Sequence, residues 1–230
     1  MSDSSSSGFS MTVKPGRIKE YSAGITAKSG PRGIALGDDG NMWFTEEFGD
    51  KISKIDPVTG KVTEYSDGIT AKSFLTGIAQ GPDGNMWFTE YDGNTIGKIT
   101  PSGTVNEYSL GIAPEAKPAA IALGADGNMW FTERDGDKIG KITPSGDVTE
   151  YAVASGSGPR GIALGADGNM WFTEYFTGRI GRITPSGRIT EYSAGMTADS
   201  RPYWIERGPD GNMWFTIING RRIGKITPSG

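Results

Sequence analysis

The run Asn-Met-Trp-Phe-Thr occurs five times in this chain, centred on Trp43, Trp87, Trp130, Trp171 and Trp214. Successive tryptophans are 44, 43, 41 and 43 residues apart. A repeat of that length suits one four-stranded blade of a β-propeller. The copy from Gly161 to Ser193 shows the parts. Gly161-Ile162-Ala163-Leu164 is a short apolar strand A. Ala166-Asp167-Gly168-Asn169 is a turn, because Asp-Gly and Gly-Asn accept the positive φ of tight hairpins. Met170 to Glu174 is strand B. Arg179 to Thr184 is strand C, alternating apolar and polar at period two. Pro185-Ser186-Gly187 turns the chain into strand D, Arg188 to Tyr192.

No blade of such short strands buries its aromatic face alone; stacking blades around an axis does so. Helical repeats of similar length are excluded, because glycine or proline interrupts every stretch before a helix forms. The 36 glycines and 13 prolines therefore read as turns rather than disorder. The expected fold is all-β: a single five-bladed β-propeller spanning residues 12–230, its tryptophans buried between blades. Serine-rich residues 1–11 are expected to be a disordered tail.

The last repeat stops at Pro228-Ser229-Gly230 without a strand D. The N-terminal run Gly16-Arg17-Ile18-Lys19-Glu20-Tyr21-Ser22 nearly repeats Gly187-Arg188-Ile189-Thr190-Glu191-Tyr192-Ser193. The expectation is that Arg17–Tyr21 pairs with Arg222–Ile226 and closes the ring, which removes sheet edges that template aggregation. A closed ring is expected to be a monomer.

Composition narrows the function. The formal charge is −4, from 23 basic and 27 acidic residues, with no basic stripe, so nucleic acid is not an expected partner. No apolar run has the length of a membrane span, and no signal-peptide core follows Met1, so a cytoplasmic location without membrane contact is the default expectation. Cysteine and histidine are both absent. That removes disulfides, thiolate chemistry and the commonest acid/base side chain.

The five copies can be compared with one another. Their A–B turns and C–D turns are nearly uniform, whereas the D–A connections and B–C loops vary. In an up-and-down meander those two variable sets share one face of the ring, and rigid scaffolds carry function in their loops. Two residues before the strand A isoleucine stand Arg32, Thr76, Ala119, Arg160 and Tyr203; strand B ends in Glu46, Glu90, Glu133, Glu174 and Ile217. A near-ring of carboxylates facing arginines suits a small polar molecule. The alternative is that each Glu pairs with an Arg or caps loop amides. Loop aromatics Phe48, Tyr91, Tyr175, Phe176 and Tyr203 with Trp204 suit stacking on a sugar or other ring, blade packing being the competing use for some of them. Trp204 replaces the small residue at Gly33, Gly77, Ala120 and Gly161, and is expected near the axis of the channel. The expected ligand-binding set is Arg32, Glu46, Thr76, Glu90, Glu133, Arg160, Glu174, Tyr203 and Trp204.

Asn-Met-Trp-Phe-Thr-Glu, followed by Lys-Ile-Gly-Lys-Ile-Thr-Pro-Ser-Gly and Val-Thr-Glu-Tyr, resembles the virginiamycin B lyase (streptogramin lyase) family over residues 16–230. The resemblance implies a propeller, seven-bladed in that family's enzymes, which use Mg²⁺ and histidine to open a cyclic antibiotic's ester by elimination. The family's Pro-His-Ala-Ile segment corresponds here to Pro202-Tyr203-Trp204-Ile205, so Tyr203 stands in the histidine's place. Its carboxylates in Trp-Phe-Thr-Glu segments match Glu46, Glu90, Glu133 and Glu174. Two functions follow. One is a non-catalytic scaffold or binding module without a cofactor, its near-identical blades recently duplicated or engineered. The other is a divergent metal-dependent C–O lyase using Mg²⁺, with Tyr203 or a glutamate of raised pKa as base.

Overall fold

A computed structural model describes residues 16–230; the expected tail, residues 1–11, lies outside the described residues. Among the described residues nineteen strands form five antiparallel sheets in chain order. The first holds β1 (Pro31–Leu36), β2 (Met42–Glu46), β3 (Lys51–Ile55) and β4 (Val62–Tyr65). The second holds β5 (Leu75–Gln80), β6 (Met86–Glu90), β7 (Thr95–Ile99) and β8 (Val105–Tyr108). The third holds β9 (Pro118–Leu123), β10 (Met129–Glu133), β11 (Lys138–Ile142) and β12 (Val148–Ala152). The fourth holds β13 (Pro159–Leu164), β14 (Met170–Glu174), β15 (Arg179–Ile183) and β16 (Ile189–Tyr192). The fifth has three strands, β17 (Pro202–Arg207), β18 (Met213–Ile217) and β19 (Arg222–Ile226). These are the five blades of a β-propeller. Among the described residues no helix is long and apolar enough to cross a membrane.

The repeated Asp-Gly-Asn-Met-Trp run has a local cause. Asp39 accepts hydrogen bonds from the Asn41 amide and from Trp43 Nε1, at 3.1 and 3.0 Å. Asp83, Asp126, Asp167 and Asp210 hold the indoles of Trp87, Trp130, Trp171 and Trp214 in the same way. The turn is thereby tied to the residue that fills the space between blades. Glycine in strand C has a packing cause: a Cβ at Gly97 would lie 2.1 Å from the Phe88 ring, and Gly140 and Gly181 stand likewise under Phe131 and Phe172.

Between blades, one sheet offers tryptophan and isoleucine and the next offers isoleucine, methionine and phenylalanine. Trp43 and Ile52 pack with Leu75, Ile78, Met86, Phe88 and Ile99, and the pattern recurs at the next three junctions. Each strand D tyrosine stacks on its own blade's tryptophan, as Tyr65 does on Trp43 at 5.7 Å.

The expected closure does not appear. Residues 17–22 form no strand, and among the described residues β19 is the unpaired edge of a three-stranded sheet. The N-terminal segment lies along the first blade instead. Tyr21 packs on Gly60 as Tyr65 packs on Gly103, and Gly24 meets Val62 as Gly68 meets Val105. Residues 16–26 thus occupy the strand D and D–A positions of a blade that would precede the first. Strand A contacts run from β1 through β5, β9 and β13 to β17, with no comparable contact between β17 and β1. The five blades form an open arc, and its ends are wet: Trp214 is 40% exposed and Ile34 64%. The expected burial therefore holds for Trp43, Trp87, Trp130 and Trp171, and not for Trp214.

Candidate binding mouth

Every strand A breaks register with strand B at the loop end, between Pro31 and Ile34 in the first blade and at the equivalent place in the others. Such bulges re-aim side chains, commonly beside functional sites. Here they present Arg32, Thr76, Ala119, Arg160 and Tyr203 toward the axis. The strand B threonine sustains the bulge. Thr45 Oγ1 accepts the Gly33 amide at 2.9 Å and donates to the Thr76 carbonyl of the next blade at 3.0 Å. Thr89, Thr132 and Thr173 do the same for Gly77, Ala120 and Gly161, donating to Ala119, Arg160 and Tyr203. The belt of hydrogen bonds stops at Thr216, which accepts the Trp204 amide and lies beyond the last junction. Sequence reasoning assigned these threonines no task; their recurrence in all five copies was the available signal.

The belt supports a cavity of about 660 Å³ at the loop mouth, lined by Arg32, Thr76, Arg160, Tyr203 and Trp204 of the expected set, with Glu47, Phe74, Tyr91, Ala119 and Arg134. Glu46, Glu90, Glu133 and Glu174 do not line it. They are fully buried, each under its own B–C loop. The reason is strand alternation: Glu46 lies two residues after Phe44 and shares its interior face. The next residue in the chain reaches the mouth instead, as Glu47, Tyr91 and Arg134 do.

Glu46 accepts from the Ser53 hydroxyl, whereas Glu90, Glu133 and Glu174 each adjoin the strand D glutamate of their blade, and that second carboxylate clamps the preceding D–A loop. Glu107 accepts from Thr70 N and Oγ1 at 2.6 and 2.7 Å; Glu191 accepts from Ala154 N and from Arg179. Lys51, Lys138 and Arg179 pair with Glu64, Glu150 and Glu191, but Thr95 takes that position in the second blade, leaving Glu107 without the cation. Burial first, then the Glu107 carboxylate, push Glu90 up to about 8. Burial and Glu150 raise Glu133 to about 8. Glu174 rises to about 7, mainly through burial, with a Thr177 hydrogen bond opposing. These are proton-holding interior acids set apart from the cavity.

The mouth itself is cationic and aromatic. Arg32 pairs with Glu47 and lies over Phe74 at 6.0 Å. Arg160 donates to the Tyr203 hydroxyl at 2.7 Å, its guanidinium 4.2 Å from the ring centroid. Arg134 donates to the Tyr91 hydroxyl and meets Asp135 at 3.3 Å. Partial burial opposes the charge of Arg134, yet Tyr91 and Asp135 hold its pKa above the ordinary value. Mg²⁺ prefers several hard oxygen ligands in octahedral array. This mouth offers one lining carboxylate, already paired with a guanidinium, beside two more arginines. Among the described residues no three His, Cys, Asp or Glu side chains converge. The Mg²⁺ implied by the family resemblance does not fit these donors.

The family model of the virginiamycin B lyase family matches residues 6–230. Virginiamycin B lyase from Staphylococcus aureus, a solved structure, is 40% identical, with a TM-score of 0.84 over 89% of this chain and 69% of that one. A catalytically inactive variant of that lyase with Quinupristin gives the same values. A putative gluconolactonase, 13% identical with a TM-score of 0.67 over 91% of this chain and 80% of that one, shares the fold alone. No match appears among curated protein sequences.

Proposed function

The chain belongs to the virginiamycin B lyase family, and on that premise we propose that it is a ligand-binding propeller of the family rather than a lyase. One observation carries the reading. Among the described residues the only carboxylate lining the mouth, Glu47, is committed to Arg32, and the glutamates with raised pKa lie inside the blades. Elimination needs a base within hydrogen-bond reach of the substrate's acidic C–H. Tyr203 stands at the place of a family histidine, and its hydroxyl accepts a hydrogen bond from Arg160, fixing that guanidinium at the mouth. The bulges and the threonine belt hold the lining side chains on strand ends, the rigid mounting that a binding site requires.

The reading predicts that a ligand or small-molecule panel, scanned by thermal shift, raises the melting midpoint for compounds seated at this mouth, since binding to the folded state alone stabilises it. It also predicts no opening of a streptogramin B antibiotic with Mg²⁺ supplied. Turnover that disappears in Tyr203→Phe overturns the binding reading in favour of a histidine-free lyase.

A further inference from the structure

We infer that the ligand of this mouth is an organic anion carrying a flat unsaturated ring. The inference rests on the binding reading above and names the ligand class.

Charge is the first argument. Arg32, Arg134 and Arg160 line the cavity; Glu47 pairs with Arg32 and the half-exposed Asp135 with Arg134, while Arg160 has no carboxylate partner among the described residues, so one positive charge stands unpaired in a chain whose formal charge is −4. A guanidinium carries five N–H donors in a planar fork. Arg160 uses one on Tyr203. Arg134 Nε is buried without any hydrogen-bond partner. Buried donors without acceptors are costly, and an anion placed between these arginines supplies acceptors in the geometry that guanidinium favours. A neutral sugar would leave the charge surplus uncompensated, and a cation would add to it.

Preorganisation is the second argument. Arg160 is stacked on Tyr203 and tethered to its hydroxyl; Arg134 is tethered to Tyr91 and lies 5.5 Å from the Phe176 ring. Stacked and tethered arginines lose little side-chain freedom when they bind, so their forks are available at low entropic cost. The ring argument comes from Phe74, Tyr91 and Tyr203, which line the same cavity. Aromatic faces beside guanidinium planes hold a planar π-system by offset or edge contacts.

The test uses the full chain and three probes: benzene-1,3-dicarboxylate, its neutral diamide, and cyclohexane-1,3-dicarboxylate. Binding is read by calorimetry and by the change in total tryptophan fluorescence, to which Trp204 in the cavity lining contributes. The aromatic diacid is expected to bind tightest, with the diamide weaker by about tenfold or more, the loss typical of charge-assisted hydrogen bonds. Arg160→Gln and Arg134→Gln are each expected to weaken the diacid by about tenfold and leave the diamide nearly unchanged. An unchanged melting midpoint and circular dichroism spectrum show that each variant is folded. Equal binding of diacid and diamide, with both sensitive to Tyr203→Phe, overturns the anion claim and keeps the mouth as the binding site. Equal binding of the aromatic and saturated diacids overturns the ring claim. Diacid binding that neither arginine substitution weakens overturns the site, and no saturable diacid binding overturns the inference as a whole.

Discussion

The inner blades and the end blades carry nearly the same sequence but different environments. Trp171 is fully buried, while Trp214, in the same Asn-Met-Trp-Phe-Thr run, is 40% exposed. Ile78 of the second blade is buried, and its equivalent Ile34 in the first is exposed. The blade's own hydrogen bonds do not differ: Trp171 and Trp214 both donate to the turn aspartate, at 3.1 and 3.0 Å. Local structure in this protein is therefore a property of the single repeat, whereas burial is a property of a pair of repeats. Solenoid-like energetics of this kind divide stability into intrinsic and nearest-neighbour contributions. The threonine belt shows the same division, since Thr132 has partners on both sides and Thr216 on one.

The largest effect should appear when the same tryptophan is removed from both environments. Trp87→Ala is expected to cost about 3–5 kcal/mol, as for a fully buried indole. Trp214→Ala should cost about 1–2 kcal/mol, because much of its surface is already in water. Urea unfolding of the two variants checks the difference. Equal costs would mean that the last blade's open face is covered in solution.

Much of this division was legible beforehand. The blade was readable because turns and strand alternation are local: strands B and D were placed to within a residue, and Asp-Gly-Asn announced the hairpin that Asp167 ties to Trp171. Closure was not readable. Gly16–Ser22 does resemble strand D, and it does take a strand D position, but beside the first blade. Curvature is set by how adjacent sheets pack, which no single blade's pattern encodes. The mouth was half readable. Arg32, Thr76, Arg160 and Tyr203 were found because they vary where the scaffold does not. The glutamates were misdirected by one residue, since a side chain's face at the end of a strand depends on where alternation gives way to the loop.

Acidity sharpens the comparison next. Glu90 and Glu133 sit in inner blades with pKa values raised to about 8, whereas the last blade has Ile217 at that position. In the unfolded chain a glutamate titrates near the ordinary carboxylate value. Between about pH 4.5 and 8 the folded protein thus holds protons that the unfolded chain has released. Stability should fall as pH rises through that window, by up to about 1.4 kcal/mol per pH unit for each such group. Above about pH 8 the fall should level off. Glu90→Gln should flatten part of the slope, leaving the contributions of Glu133 and Glu174. A wild-type stability that rises from pH 5 to 8 in buffered urea titrations would contradict these interior acids.

The belt offers a more modest contrast. Thr132→Val keeps the shape of the side chain but removes the acceptor for the Ala120 amide and the donor to the Arg160 carbonyl. Leaving those groups unpaired should cost about 1–3 kcal/mol. Thr216→Val forfeits only the Trp204 amide, near solvent, and should cost less than about 1 kcal/mol. If the two substitutions prove equal, the belt continues past the fifth blade.

The smallest expected effect bears on the open arc most directly. Tyr21 is partly exposed; its ring packs on Gly60, with Lys19 Nζ 4.5 Å from its centroid. Its counterparts do more, since Tyr151 both stacks on Trp130 at 5.7 Å and packs on Gly187. A tyrosine without a stacking tryptophan contributes mainly the apolar area of one ring face. Tyr21→Ala should therefore cost under about 1 kcal/mol. In a closed ring the same residue would be strand D of the last blade, stacked on Trp214, and its removal would cost as much as that of an inner tyrosine. Measured beside Tyr151→Ala in one set of urea titrations, a Tyr21→Ala cost equal to that of the inner residue would show that the N-terminal strand pairs with β19 in solution and that the ring is shut.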